Sequence, residues 1–509
     1  MTAAATAGAP GAREGRSAVA GPETGARRGA PSWLVLLLVC LGQYMVILDV
    51  SIVNVALPSI RTDLGFSPTS LQWVVNAYTL AFAGFLLLGG RAADLFGRRR
   101  LFLVGVGLFA VASLAGGLST NQAELVIART VQGLGGAILS PATLTLLLTN
   151  YAEGPARARA LGVWSAVAAA GGASGALLGG IVTDTIGWRW ILFINVPVGI
   201  AVLVGARLVL SESRGDTAAA RHLDVPGALT VTGGMVALVW GITRSEALGF
   251  GSREVELSLV AGALLLAVFV LVEARFSVAP LVPLRLFRSR SVTGANIVMF
   301  GVGAAIFPVW YFLTLYLQLV RGESPLVAGL VFLPQTVAIV IGSQVSSRLM
   351  SRIGARPILV AGPLLCAIGL LWLRLLPLDG DLIATVILPG SIVTLGMGLA
   401  FPAVAMAATA GVPRSEAGLA SGVVNTTRQM GASVSLAVLA TVAADHTSSV
   451  QASAGSAAAA LTQGYSYALA IAVLVALASG LAALIIPGRV RPPAPATAHV
   501  EAAAEAAPA

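Results

Sequence analysis

Fourteen apolar runs, each close to the length that crosses a lipid bilayer, dominate this 509-residue sequence. A transmembrane helix needs about 20 predominantly apolar residues, whereas a strand of a globular protein has about 5 or 6. The runs are therefore too long for strands, and the alternating pattern of a membrane barrel is missing. Because a backbone in lipid must satisfy its own polar groups, the runs predict an all-α polytopic membrane protein with fourteen helices. The predicted spans are 33–57, 71–89, 101–119, 123–148, 159–183, 190–210, 225–243, 256–275, 292–317, 325–346, 357–376, 382–406, 417–441 and 464–486.

The composition supports a bilayer as the solvent. Hydrophobic residues make up 57% of the chain and charged residues only 10%, against about 25% charged residues in an ordinary soluble domain. The basic residues, all arginine, recur in short groups between the spans rather than forming one patch or tail. This pattern favours the lipid bilayer as a partner and excludes nucleic acid. Nothing in the sequence indicates an obligate protein partner.

Arginine is distributed unequally between alternate loops. The N-terminal segment, the loops after the even-numbered spans and the C-terminal segment together hold 23 arginines, whereas the other loops hold six. By the positive-inside rule, the first set of loops is cytoplasmic. We therefore expect a multi-pass protein of the cell (plasma or inner) membrane with both termini in the cytoplasm.

Two loops resemble each other and indicate an internal repeat. The loop after span 2 reads GGRAADLFGRRR, and the loop after span 10 reads SSRLMSRIGARP. If each half began as six helices, the copy of the loop after span 2 would follow span 8. The copy follows span 10, so two spans are inserted between the halves. Parallel repeats of this kind are typical of transporters, with the substrate site between the halves near mid-bilayer. Three pairs match at an offset of 257 residues: Arg91 with Arg348, Gly97 with Gly354, and Arg99 with Arg356.

The repeat predicts a division of the chain into two bundles. We expect spans 7 and 8 to be the inserted pair and to lie outside both bundles. The predicted units are a disordered cytoplasmic tail (1–30), an N-terminal six-helix bundle (31–210), a linker with the two inserted helices (211–280), a C-terminal six-helix bundle (281–487) and a second disordered cytoplasmic tail (488–509).

Six motifs, in the right order on the right spans, resemble the major facilitator superfamily, specifically its fourteen-helix drug:proton antiporter branch of the EmrB/QacA type. The resemblance covers almost all of residues 33–486. It departs from the family at one point, because Ala176 stands where the helix 5 motif has a proline. The motifs are LDVSIVNVALP (48–58), the loop at 90–100, RTVQGLGGA (129–137), the glycine series on span 5 beginning at Gly162, WRWILFINVPVG (188–199) and GLASGVVNTTRQMG (418–431).

The resemblance implies proton-coupled multidrug or antibiotic efflux, with small amphipathic organic compounds exported by alternating access. It also implies that Arg129 takes part in proton coupling. The residues themselves point the same way. Asp49 is the one acid well inside a span, and Arg129 lies at comparable depth on a neighbouring span. Charged residues at such depth are functional by default, so we expect Asp49 and Arg129 to form the proton-coupling site; a fixed ion pair that merely orients helices is the alternative.

Two further groups of residues are candidates for function. Polar side chains within the spans are candidates for lining a substrate cavity, although such side chains also hold helices together. They are Asn54, Asn76, Gln132, Gln318, Gln335, Asn425, Arg428 and Gln429. Residues of the 2/3 loop and the small residues of span 5 are candidates for conformational gating. They are Gly90, Asp94, Gly97, Arg98, Gly171, Gly175, Gly179 and Gly180.

The sequence offers no sign of enzymatic chemistry. The histidines, His222, His446 and His499, all lie in loops or tails, and no phosphate-binding GxxxxGK[ST] loop occurs. We expect no enzyme activity, no cofactor and no metal, so an ion gradient is the expected energy source, and a proton suits an isolated carboxylate. Two alternatives remain open: proton-coupled uptake of a small nutrient, and a non-transporting membrane receptor.

Overall fold

A computed structural model of the chain describes residues 31–152, 154–213, 223–413 and 416–488. Within these ranges the fold is helical and contains no β-strand, which confirms the predicted all-α class. The predicted tails, apart from Gly488, lie outside the described residues. The helices are α1 Ser32–Leu64, α2 Ser70–Phe96, α3 Arg98–Gly117, α4 Gln122–Asn150, α5 Pro155–Thr185, α6 Trp190–Val209, α7 Val225–Leu248, α8 Arg253–Phe276, α9 Arg290–Val320, α10 Pro325–Ile353, α11 Ala355–Leu373, α12 Ile383–Thr409, α13 Ala417–Val450 and α14 Ala457–Ile485.

Of these helices in the described ranges, thirteen are long and apolar enough to cross a membrane. The remaining one, α13, has 34 residues but a less apolar composition, because it carries Asn425, Arg428 and Gln429 in its first half. It packs against α9 and α14 like its neighbours. All fourteen predicted spans are therefore helices, and the chain is a multi-pass membrane protein.

The packing divides the helices into two groups. Helices α1–α6 pack mainly against one another, and α9–α14 do the same. The apolar core of the first group includes Phe102 and Phe109, both fully buried, and that of the second includes Phe312 and Tyr316. The groups meet along two seams, α2 against α13 and α5 against α10.

The inserted pair differs from the expectation. Helices α7 and α8 form a hairpin, but α7 packs against both α2 and α13, directly on one seam. Polar contacts tie it to each side: Gln72 Nε2 donates to Thr243 Oγ1 at 3.2 Å, and Thr441 Oγ1 donates to the Ile242 carbonyl at 3.2 Å. Helix α8 packs mainly against α7 and lies away from the seam. The length and hydropathy of α7 predicted a membrane span but not which helices it contacts.

The repeated loops fold alike. Gly97 is the single residue between α2 and α3, and Gly354 is the single residue between α10 and α11. Their φ angles are +112° and +78°, a region that side-chain-bearing residues rarely adopt. Each glycine therefore permits the sharp reversal between two helices. We call the end of the molecule that holds both glycines the arginine-rich end, and the end that holds Gly65 and Gly187 the distal end.

The two groups touch at the distal end, and on the α5–α10 seam they separate toward the arginine-rich end. Gln318 Nε2 donates to the Val55 carbonyl across the groups at 2.8 Å. On the α5–α10 seam, a Cβ added to Gly180 would lie 2.6 Å from the Pro325 carbonyl oxygen, whereas one added to Gly162, nearer the arginine-rich end, meets nothing within 4 Å. Helices α5 and α10 therefore diverge, and the distal end is closed.

Candidate functional site

The structure brings Asp49 of α1 and Arg129 of α4 into direct contact. Arg129 Nη1 lies 2.5 Å from Asp49 Oδ2, and the exposed fractions of the two side chains are 2% and 0%. The sequence predicts that the two residues lie at comparable depth in the membrane, and α1 packs against α4. An ion pair without access to water is costly to form, and losing either charge would leave the other uncompensated. Substituting either residue alone is therefore expected to destabilise the site.

A polar network surrounds this pair. Gln132 Nε2 donates to Asp49 Oδ1 at 2.6 Å and to Ser113 Oγ at 2.7 Å, while Arg129 Nη1 donates to Gln132 Oε1 at 2.6 Å. Asn195 Nδ2 approaches Asp49 Oδ1 at 3.4 Å. Three side-chain donors, from Arg129, Gln132 and Asn195, therefore converge on the Asp49 carboxylate.

Ser113 and Asn195 were missed by the sequence interpretation. Asn195 lies within the WRWILFINVPVG motif, and its polarity inside a span was the available signal. A lone serine such as Ser113 gives no such signal, because serine commonly bonds to its own helix backbone in apolar surroundings. Only the packing of α3 and α6 around α1 and α4 brings these side chains to the carboxylate.

Tyr78 of α2 also belongs to this site and was also missed. The Arg129 guanidinium carbon lies 4.6 Å from the centre of the Tyr78 ring, a cation–π distance. The hydroxyl is buried and has no hydrogen-bond partner among the described residues. Space for this tyrosine comes from α4: an added Cβ at Gly133 would lie 2.4 Å from the Tyr78 carbonyl oxygen, and at Gly136 3.0 Å from the hydroxyl.

A cavity of about 410 Å³ lies between the two groups of helices, and Tyr78 forms part of its wall. Asp49 and Arg129 do not line it, so the tyrosine ring stands between the ion pair and the cavity. Aromatic and aliphatic side chains make up most of the lining, as in sites for apolar organic molecules. The aromatic lining residues are Tyr78, Phe82, Trp164, Phe307, Trp310, Phe332 and Phe401.

Half of the predicted cavity residues line this space: Asn54, Asn425, Arg428 and Gln429. The structure places the other four elsewhere. Gln132 holds Asp49, Gln318 bonds to α1 at the distal end, Asn76 donates to Gln72 at 3.3 Å, and Gln335 is buried against Gly390. Periodicity places a polar residue on a span but does not say which neighbour it faces.

The glycine series of α5 faces two different helices. Added Cβ atoms at Gly171, Gly175 and Gly179 would contact α1, within the same group, at 3.3, 2.6 and 2.8 Å. Gly180 alone faces α10 across the seam. One turn nearer the cavity, the carbonyl of Ala176 contacts Gly329 of α10, so the position where the family has a proline contributes a backbone contact between the two groups.

The 2/3 loop is organised by charge. Arg98 donates to Asp94 Oδ1 through Nε at 3.0 Å and through Nη2 at 2.8 Å, so two of the gating candidates form an ion pair. Glu212, which follows α6, accepts from the backbone N–H groups of Arg99 and Arg100. A carboxylate is favourable at the N-terminus of a helix, and Glu212 therefore fixes the start of α3.

Gly90 and Gly97 leave room for these contacts. An added Cβ at Gly97 would lie 2.5 Å from a Glu212 carboxylate oxygen, and one at Gly90 would contact Pro141 of α4 at 3.4 Å. Arg91 of the same loop motif hydrogen-bonds to the carbonyls of Ala279 and Pro280, at 3.1 Å for the latter. The motif thus ties the first group of helices to the segment between α8 and α9.

Comparison with known proteins places the chain among exporters. The model of the Major Facilitator Superfamily matches residues 39–436. The cephamycin export protein CmcT of Amycolatopsis lactamdurans is 46% identical over 81% of this chain and 85% of its own length. The puromycin resistance protein pur8 of Streptomyces alboniger is 41% identical over 85% of this chain and 86% of its own length.

Solved structures show the same fold. A bacterial homologue of the human lysosomal transporter Spinster, in an inward-facing conformation, superposes with a TM-score of 0.64 over 89% of this chain and 97% of that one, at 17% identity. The inward-open xylose transporter XylE of E. coli gives a TM-score of 0.57 over 88% and 96% of the two chains, at 15% identity.

Proposed function

The chain belongs to the major facilitator superfamily and is an efflux transporter of its antibiotic and multidrug export type, and we propose that it exchanges small amphipathic organic compounds for protons. The observation that carries the coupling is the buried contact between Asp49 and Arg129, one side chain away from the cavity. A single carboxylate suits a proton as the exchanged ion better than sodium, because sodium prefers a cage of several oxygen ligands. The relatives' export roles favour efflux over uptake.

Transport follows from relative movement of two bundles, residues 31–210 and 281–487. In the state described here, contacts close the distal end, and α5 and α10 diverge toward the arginine-rich end. Opening the distal end requires breaking the α5–α10 contact at Gly180 and Gly329. We place the arginine-rich end in the cytoplasm, so this state takes up substrate from inside.

Proton coupling acts through the electrostatics of the site. A proton that reaches Asp49 removes the negative charge beside Arg129, and the guanidinium then lacks its counter-charge. Such a local change can bias a two-state equilibrium. Tyr78 contacts the guanidinium on one side and lines the cavity on the other, so an occupant of the cavity and the protonation of Asp49 both act on the position of this ring.

Substitutions of Tyr78 test this route. We expect Tyr78→Phe to keep export within about twofold of wild type, because the aromatic face remains and the lost hydroxyl has no partner. Tyr78→Leu removes the ring from Arg129 and should reduce proton-coupled export strongly while substrate still binds. The measurement is dye uptake by inverted vesicles at equal protein level. Equal activity of the leucine and phenylalanine variants would exclude this role for the ring.

Reporter fusions test the proposed orientation. Fusions at Pro487 and at Gly215, which lies outside the described residues, should report the cytoplasm, because both follow even-numbered spans. A fusion at Ser453, between α13 and α14, should report the outside. An external signal at either of the first two sites would reverse the assignment of the arginine-rich end.

The proposed function itself is tested by a susceptibility screen. Cells that express the protein are compared with cells that carry the empty vector across structurally diverse toxic compounds. Protection that disappears when the proton gradient is collapsed supports the proposal. Unchanged susceptibility to every compound, with the protein present in the membrane, would contradict it.

A further inference from the structure

One charged side chain lines the central cavity among the residues that the structure describes, and it is positive. This residue is Arg428 of α13. Its Nη2 donates to Asn425 Oδ1 at 2.7 Å, and its guanidinium carbon lies 4.9 Å from the centre of the Phe307 ring. An amide and an aromatic face hold the guanidinium in place, but neither neutralises its charge.

The acids of the protein lie away from this guanidinium. Within the described ranges, Arg428 is in no ion pair, and no aspartate or glutamate lines the cavity. Asp49, the carboxylate at cavity depth, is engaged by Arg129 and is fully buried in the wall. The polar groups that reach the cavity besides Arg428 are hydroxyls, amides and an indole N–H, all uncharged. The cavity therefore offers an anion a partner of opposite charge and offers a cation none.

Resting on the proposed export function, we propose that Arg428 is a selectivity site for organic anions. The substrates it favours carry a carboxylate, sulfonate or similar acidic group on an aromatic or aliphatic body. The acidic group pairs with the open edge of the guanidinium, which can hold a carboxylate in bidentate geometry. The body packs against the aromatic wall that includes Phe307, Trp310 and Phe401.

The position of Arg428 on the second group of helices has a functional consequence. Asp49 and Arg129 belong to α1 and α4 of the first group, whereas Arg428 belongs to α13 of the second. A substrate held by Arg428 that touches Tyr78 spans both groups, so binding and proton release act on opposite sides of the same cavity. A cationic substrate would instead face repulsion from Arg428 in a site of low dielectric.

Dye binding to the purified full-length protein in lipid nanodiscs tests this proposal. Fluorescein and rhodamine 6G share a xanthene body but carry opposite charge near neutral pH. We expect fluorescein to bind the wild type more tightly, and Arg428→Gln to weaken its binding by about tenfold to a hundredfold, the range of a charge-assisted hydrogen bond. Arg428→Lys should keep part of the preference, and Arg428→Glu should reverse it.

Thr336→Val is the matched control, because Thr336 lines the same cavity without charge and valine has nearly the same shape. It should leave the ratio of the two affinities unchanged. Empty nanodiscs correct for partition of the dyes into lipid. Equal or tighter binding of rhodamine 6G by the wild type would overturn the proposal, as would an unchanged ratio in a folded Arg428→Gln variant. Loss of gradient-driven transport with the binding preference intact would instead count against the export function alone.

Discussion

Asp49→Asn is expected to reduce gradient-driven export to the level of vesicles without the protein, while the cavity still binds substrate. Asparagine keeps the shape. Gln132 and Arg129 donate to different oxygens of Asp49, so the single amide oxygen can accept from one of them, and the side chain cannot gain or lose a proton. The variant therefore mimics the protonated state permanently. Inverted vesicles with an imposed pH gradient measure export, and equilibrium binding of the same dye measures the cavity.

Two variants serve as controls for this result. Asp49→Glu keeps a titratable group in a tightly packed site and should retain partial activity. Removing one charge from a buried pair costs about 3–5 kcal/mol of stability. The double variant Asp49→Asn with Arg129→Gln removes both charges and therefore separates lost stability from lost coupling. It should restore the protein level but not coupled export. If Asp49→Asn exports at near wild-type rates with proton movement, the ion pair is structural and the proposed coupling is wrong.

Gly329→Val is expected to have the second-largest effect, namely loss of export with the distal end held open. An added Cβ at Gly329 would lie 2.4 Å from the Ala176 carbonyl oxygen and 3.1 Å from its carbon, and backbone atoms cannot rotate away. Overpacking of this kind costs about 1–3 kcal/mol. Only the state with closed α5–α10 contacts bears that cost, so the equilibrium shifts toward the opposite state by about fivefold to 150-fold.

Cysteine accessibility measures this shift. Thr336→Cys places a thiol in the cavity, and the native Cys40 and Cys366 are both buried. In intact cells, a membrane-impermeant maleimide should label the cavity thiol faster in the Gly329→Val background. Gly162→Val is the matched control, because nothing lies within 4 Å of its added Cβ. Equal labelling and normal export of Gly329→Val would show that the α5–α10 contact does not close the distal end.

The global fold followed from the sequence because each span must satisfy its own backbone, so that hydropathy alone reports it. The repeat at Gly97 and Gly354 was also readable, because a reversal of the chain within one residue requires a positive φ angle, which favours glycine. The position of α7 was not readable. Helices α7 and α8 are both apolar enough to span a bilayer, and contacts such as that of Gln72 with Thr243 show that α7 lies on the seam.

The site was predictable where a charge forced the conclusion and unpredictable elsewhere. A buried charge requires a partner of opposite charge. Asp49 and Arg129 lie at the same depth, and they form an ion pair. Uncharged residues such as Gln318 and Gln335 can be satisfied by any neighbouring carbonyl or packing surface, so their polarity did not locate the cavity. Tyr78 gave no polar signal of its role, because an aromatic residue on a span usually packs against other apolar side chains.

The most direct test of coupling reverses the driving force. Proteoliposomes that contain the purified protein are given a gradient of exported dye with no initial pH difference, and a pH-sensitive probe in the lumen records proton movement. We expect the wild type to move protons against the direction of dye flow and Asp49→Asn to move none. If the wild-type protein lets the dye gradient dissipate without any proton movement, the account of proton-coupled export is contradicted.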